Sequence, residues 1–200
     1  MAVSILKCFA LLALAAAAPQ APAAAQPRET IAFDAQSSEL DLRNNNAVFR
    51  KVRIAQGATT ISADQGQTTK GTGLDFDNSL WMFRGNVKIT VNGGELTSDD
   101  ASIHFTNKLL DVAVVKGKPA AFEQRIEKSG KVAHGRADTI DYNAGKGVVH
   151  LSSNAWLSDG QTEIRGESLK YDVVAQSIVA DAADQGSQRV HITITPPPKP

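Results

Sequence analysis

The chain has 200 residues, and its 21 Lys and Arg residues balance its 21 Asp and Glu residues. The chain therefore lacks the net positive charge that attracts a phosphate backbone, and the composition argues against nucleic acid as a partner. The single cysteine, Cys8, lies in the first 25 residues. The rest of the chain therefore forms no disulfide and must be held together by its own core.

The first 25 residues have the features of a cleaved secretory signal. Lys7 supplies the positive charge, an apolar run extends from Cys8 to Ala18, and Ala23 to Ala25 provide small residues for cleavage. The apolar run is too short to cross a bilayer as a helix. We therefore expect a signal peptide over residues 1–25 and a mature protein in the periplasm, with the outside of the cell as the alternative.

A strand–turn–strand pattern recurs along the remaining chain. The segment 52–64 returns at 87–99 and, more loosely, at 155–167. In each copy apolar and polar residues alternate, a turn containing glycine follows, and an apolar residue begins the next strand. A repeated unit of this kind stacks on itself. The repeat therefore predicts a stack of antiparallel hairpins.

Turn signals and period-two alternation continue over the whole chain, and no window shows a capped helical period. This pattern is typical of an all-β sandwich or jelly roll. We expect one domain over residues 30–195, a disordered lead-in at 26–29 and a proline-rich tail at 196–200.

Alternation places a large set of apolar side chains on one face of the predicted strands. Two interpretations stay open: these side chains fill a closed core, or they line a long apolar groove that holds an acyl chain. Leu74, Leu80 and Ile164 are assigned to the same inward face. The candidate groove residues are Val52, Ile54, Ile61, Phe76, Met82, Val87, Ile89, Leu96, Ile103, Phe105, Ile140, Tyr142, Leu157, Leu169 and Tyr171.

The sequence offers little catalytic chemistry. Its four histidines are far apart, and it contains no HExxH, paired CxxC or GxSxG motif. We expect no metal, no cofactor and no enzyme, although a pair of carboxylates for glycoside hydrolysis remains an alternative. Several carboxylates recur at equivalent places in the repeat, and we expect them to have a structural role at strand ends, such as bonding turn amides. They are Asp64, Asp99, Asp100, Asp138, Glu167 and Asp172.

Several phrases resemble one protein family in order and spacing. Residues 83–89 (FRGNVKI) resemble its Gly-Asn-Val signature, and 61–64 and 96–101 resemble its L-x-A-D-x-A element. Residues 135–142 and 164–172 resemble its later G-x-A-x-x-(I/L)-x-Y-D elements, and 115–122 its Gly-Pro turn. The chain is thereby identified as similar to the periplasmic lipopolysaccharide-transport bridge family, LptA or OstA-like. Lys51 and Ser153 depart from the Asn and Gly of that pattern.

The resemblance implies a β-jelly roll that is open along one side and conducts lipid A acyl chains through its interior. It implies pairing at both ends, with an inner-membrane-anchored jelly roll, with an outer-membrane translocon and with further copies head to tail. The terminal strands expected to pair contain Ile31, Phe33, Val190, Ile192 and Ile194. The alternatives are an envelope scaffold with a closed core, which transports no lipid, and an envelope hydrolase.

Overall fold

The structure, a computed structural model, describes residues 29–41, 43–44, 46–68, 74–126, 130–181 and 189–196. The expected signal peptide and most of the expected lead-in and tail lie outside these residues. None of the described residues is helical, so no helix among them could cross a membrane. The strands of the described residues are β1 (Ala32–Asp34), β2 (Ser37–Asp41), β3 (Asn46–Gln56), β4 (Thr59–Thr68), β5 (Ser79–Val91), β6 (Gly94–Thr106), β7 (Leu109–Arg125), β8 (Val132–Asn143), β9 (Val148–Ser158), β10 (Thr162–Asp172), β11 (Ser177–Asp181) and β12 (His191–Ile194).

The strands form one antiparallel sheet in chain order. From β3 to β11 each strand pairs with the next, while β1 and β2 both lie on β3, and β12 lies beside β11 on β10. The three copies of the sequence repeat are the hairpins β3–β4, β5–β6 and β9–β10. The prediction of an all-β fold built from stacked antiparallel hairpins is confirmed.

Most of the long strands are interrupted near the middle by a bulge. The register shifts between Arg84 and Val87 of β5, and comparable shifts occur on β4, β6, β7, β8 and β10. A bulge bends a strand and increases its local twist. Because these bulges lie at the same level in neighbouring strands, the sheet folds along a single line, which we call the corner.

The corner divides the sheet into two half-sheets. The first half-sheet contains residues 46–50, 65–68, 79–84, 100–106, 109–116, 139–143, 148–152 and 168–172, with β2 and β11 at its edges. The second half-sheet contains residues 52–56, 59–62, 87–91, 94–97, 120–125, 132–137, 155–158 and 162–166, with β1 and β12 at its edges.

Side-chain contacts show that the half-sheets face each other. Phe33 pairs through its backbone with Ile54 of the second half-sheet, yet its ring packs 4.8 Å from that of Phe49 in the first. Further along, the rings of Phe122 and Tyr171 are 6.1 Å apart across the same interior. The inward faces of both half-sheets therefore bury one shared apolar layer, as in other two-layer β-proteins.

Carboxylates at the corner correct one prediction. Asp64 lies within a strand rather than at its end, and it accepts hydrogen bonds from Lys51 Nζ at 2.6 Å and Asn86 Nδ2 at 2.7 Å. Asp138 likewise accepts one from Asn154 Nδ2 at 2.9 Å. The repeat places these aspartates where the strands bulge, so their partners are side chains. Turn bonding is confirmed for Asp172, whose Oδ1 accepts the Ala175 N–H at 2.7 Å.

Candidate functional site

The interior between the half-sheets is a continuous apolar layer. Every candidate groove residue except Met82 lies in this layer and is at most 6 % exposed. Ile61, Ile89, Ile103 and Ile140 are fully buried. The described side chains therefore fill the interior, which is apolar enough to hold an acyl chain but must widen to admit one.

The inward assignment of Met82 is wrong, as are those of Leu80 and Leu74. Leu80 and Met82 are 40 % and 36 % exposed, whereas Trp81 and Phe83 are fully buried. Residues 80–83 are all apolar, so their own pattern does not identify the inward pair. Every second residue before the inward-facing Val87 also faces inward, because the alternation of faces continues through the bulge. This rule would have identified Phe83 and Trp81 as the inward pair. Leu74 is 52 % exposed in the irregular segment before β5.

Ile164 has an intermediate position. It packs against the core but is only partly buried, because it lies on β10 close to the edge of the second half-sheet.

One end of the interior is filled by aromatic rings, which we call the aromatic plug. Trp81 stacks on Phe76 at 5.0 Å, and Phe76 meets Phe105 edge-on at 5.2 Å. Trp81 Nε1 donates a hydrogen bond to the Asp75 carbonyl at 3.3 Å, which fixes the indole. Contacts of this kind add stability beyond the area they bury. The plug comprises Phe33, Phe49, Phe76, Trp81, Phe83 and Phe105.

The opposite end of the interior is covered by smaller groups. Ile164 and Ala180 are partly buried against the core there, and Tyr171 on β10 is buried in it. Burial raises the pKa of the Tyr171 hydroxyl, and the nearby Asp172 carboxylate raises it further. The tyrosine is therefore neutral at physiological pH. The two ends of the interior differ in their packing, since aromatic rings fill one end and smaller aliphatic groups lie beside Tyr171 at the other.

A polar contact joins the two half-sheets at the side opposite the corner, which we call the mouth. Asn92 Nδ2, in the β5–β6 turn of the second half-sheet, donates to the Tyr142 hydroxyl of the first at 3.1 Å. Gln124 Nε2 donates to the Asn92 carbonyl at 3.3 Å. The Gln124 bond lies within the second half-sheet and positions the turn. The Asn92–Tyr142 bond that crosses the mouth contributes about 1 kcal/mol.

The histidines of the described residues lie apart on the outer surface. His104 is 3.6 Å from Asp111, His134 is 3.3 Å from Glu123, and His150 is 2.8 Å from Ser168. Within the part of the chain that the structure describes, no three His, Cys, Asp or Glu side chains come together as a metal site would require. The interior layer contains no charged side chain in the described ranges.

The residues predicted to pair at the ends lie in different settings. Phe33 turns inward into the aromatic plug, while Ile31 precedes β1 and Val190 precedes β12, both partly buried. Ile192 and Ile194 on β12 are 61 % and 71 % exposed. No pairing joins the two ends within the described ranges, so the sheet stays open.

Comparison with known proteins identifies relatives of one kind. Residues 68–177, more than half of the chain, match the family described as LptA/(LptD N-terminal domain) LPS transport protein. The chain is 30 % identical to lipopolysaccharide export system protein LptA of Escherichia coli over 62 % of its length and 66 % of the relative. It is 28 % identical to LptH of Pseudomonas aeruginosa over 63 % of its length and 75 % of the relative.

The fold also matches a solved structure. It superposes with a TM-score of 0.54 and 22 % identity on the crystal structure of LptH, the LptA homologous periplasmic component of the lipopolysaccharide transport device of Pseudomonas aeruginosa. The match covers 84 % of this chain and 96 % of that one. The chain therefore belongs to the family of lipopolysaccharide transport proteins formed by LptA and the N-terminal domain of LptD.

Proposed function

We propose that this protein is a periplasmic transport protein that binds lipopolysaccharide between its half-sheets and conducts lipid A acyl chains along them. The observation that supports this most strongly is the apolar layer, which runs from the aromatic plug to the Tyr171 end without a charged side chain among the described residues. Its relatives LptA and LptH are named as lipopolysaccharide export system proteins. No catalytic step is part of the proposal.

The physical basis of binding is exchange of one apolar contact for another. Each buried CH₂ contributes about 0.8 kcal/mol. Burial of several acyl chains can therefore offset the side-chain contacts that are lost when the two half-sheets separate. Bulges along the corner give the sheet a line about which it can bend, and the Asn92–Tyr142 contact closes the mouth opposite. The mouth is therefore the side at which we expect lipid to enter.

The two ends support the second part of the proposal, that the protein bridges export complexes. A strand edge with unpaired backbone groups accepts a further strand unless proline, lysine or a bulge protects it. β11 and β12 contain none of these residues, and β1 and β2 lie at the other end of the sheet. We propose that these edges pair head to tail with copies of the chain, with an inner-membrane-anchored jelly roll and with an outer-membrane translocon.

Photo-crosslinking to lipopolysaccharide tests the interior directly. A photoreactive residue would replace Ile89, which is fully buried, in one sample and its exposed neighbour Lys88 in the other. We expect lipid adducts at position 89 and none at 88. Replacement of the larger Phe105 provides a second interior position if the change at Ile89 disturbs folding.

An envelope scaffold with a closed core is the second candidate, and the filled interior favours it. This candidate predicts no adduct at Ile89 or Phe105 while the circular dichroism spectrum remains that of the folded protein. The absence of adducts at both positions would therefore contradict lipid transport and support the scaffold.

A further inference from the structure

The outer face of the second half-sheet carries a row of three basic side chains and one tryptophan near the corner. Arg136 on β8, Trp156 on β9, Arg165 on β10 and His191 on β12 are successive cross-strand partners in the sheet register. Neighbouring side chains on one face of a sheet are close enough to act together. Four strands thus present one composite surface that faces away from the lipid interior.

A depression of about 380 Å³ lies at the β12 end of this row. Its walls are Asn154, Ala155, Trp156, Arg165, Gly166, Arg189 and His191. The titratable residues among them are all basic. We call this depression the outer pocket.

The contacts around the outer pocket hold its aromatic wall in place. Trp156 Nε1 donates to Glu163 Oε2 at 3.3 Å, and the Arg136 guanidinium lies 5.3 Å from the centre of the indole ring. Arg165 is 3.4 Å from the same Glu163 oxygen. Glu163 therefore balances one of the positive charges. In the part of the chain that the structure describes, the exposed Arg189 has no acidic partner.

This combination of groups has a definite chemical preference. An indole beside a polar pocket packs against the flat apolar face of a sugar ring, while guanidinium groups bind phosphate through paired hydrogen bonds. A neutral sugar would contact the tryptophan but leave the arginines without an anion. A free phosphate would bind the arginines but leave the indole face uncovered. A phosphorylated sugar uses both.

We propose that the outer pocket is a binding site for a phosphorylated saccharide, held by Arg165, Arg189 and His191 with its ring against Trp156. The site lies on the opposite side of the second half-sheet from the apolar layer, so it does not depend on lipid entering the interior. The source of the ligand is a glycolipid headgroup or a soluble sugar phosphate, since both present the same chemistry.

The test uses the two indole N–H signals in the ¹H–¹⁵N spectrum of the folded protein, since the chain contains two tryptophans. Trp81 is fully buried in the first half-sheet and serves as the internal reference, and Trp156→Phe assigns the signals. We expect glucosamine 1-phosphate to shift the Trp156 signal with a millimolar dissociation constant and to leave Trp81 unchanged. Glucosamine and inorganic phosphate, each alone, are expected to bind about tenfold more weakly, since each retains one half of the contacts.

Arg189→Gln is the test variant and Arg53→Gln its matched control. Arg53 is an exposed arginine at the far end of the same row, beyond Lys88 on β5. We expect Arg189→Gln to weaken glucosamine 1-phosphate binding about tenfold and Arg53→Gln to leave it unchanged.

Equal losses in Arg189→Gln and Arg53→Gln would overturn the proposal, because they would indicate diffuse attraction to positive charge. An unshifted Trp156 signal at saturating glucosamine 1-phosphate would overturn it as well. Deacylated lipopolysaccharide identifies the source: a shift with both ligands supports a glycolipid headgroup, and a shift with the small sugar phosphate alone supports a soluble ligand.

Discussion

Asp64 shows how single residues hold the corner. Lys51 and Asn86 both have positive φ, at 50° and 48°, a conformation that side-chain-bearing residues seldom adopt. Their side chains converge on the Asp64 carboxylate from neighbouring strands, and the Lys51 bond lowers the pKa of Asp64 most strongly, followed by that of Asn86. Lys51 thus binds the Asp64 carboxylate from β3 as Asn86 binds it from β5.

Asp159 provides a pH-dependent test at the same scale. The Thr162 N–H donates to its Oδ1 at 2.7 Å, and the Gln161 N–H and the Lys131 ammonium add further bonds. The backbone bond from Thr162, followed by those from Gln161 and Lys131, lowers the pKa of Asp159 to about 2. A lowered pKa stabilises the folded state above the ordinary aspartate pKa and loses that effect as the pH falls towards 2.

We therefore expect Asp159→Asn to lower the free energy of unfolding at pH 7 by about 1 kcal/mol, a value reduced by solvent screening of the partly exposed carboxylate. The difference from the parent protein should shrink below about pH 4 and vanish near pH 2. Urea unfolding of both proteins across this range measures it. A difference that stays constant down to pH 2 would show that the carboxylate charge is not the cause.

Within a single element, β5 carries the clearest test of which face is inward. Phe83 is fully buried in the aromatic plug, while the adjacent Met82 is 36 % exposed. Phe83→Ala should lower the free energy of unfolding by about 3–5 kcal/mol because it leaves a cavity. Met82→Ala should change it by about 1 kcal/mol or less. Comparable losses in the two variants, measured by urea unfolding, would contradict the orientation of the strand.

The sequence was sufficient to predict the hairpins and most of the interior, because alternation and glycine turns are local signals. The prediction of inward residues failed at 80–83, because four apolar residues in succession do not show which two face the interior. The expectation for Asp64 also failed, since a bulge in the middle of a strand depends on its neighbours in the sheet. The filling of the interior and the outer pocket could not be predicted, because both arise from contacts between residues distant in the chain.

In the whole molecule, the exposed apolar edge at β12 is the surface that the proposed head-to-tail pairing would use. Lysine on an edge strand discourages further strand addition. The double variant Ile192→Lys, Ile194→Lys should therefore abolish head-to-tail assemblies in sedimentation experiments while leaving the unfolding midpoint unchanged, because both side chains are exposed.

Val174→Lys is the control for this variant. Val174 is 80 % exposed but lies in the turn between β10 and β11 rather than on a strand edge. Assemblies that persist in the double variant, or that disappear equally in the control, would exclude β12 as the pairing edge.

The proposed transport requires the filled interior to open and receive acyl chains. The two ends of β7, at Leu109 and Arg125, are exposed and belong to opposite half-sheets far from the corner. The most direct measurement is the distance between spin labels at these positions, by double electron–electron resonance, with and without lipopolysaccharide. We expect a longer distance when lipid is bound. An unchanged distance with lipid demonstrably bound would show that the half-sheets do not separate, and it would exclude lipid entry by opening of the interior.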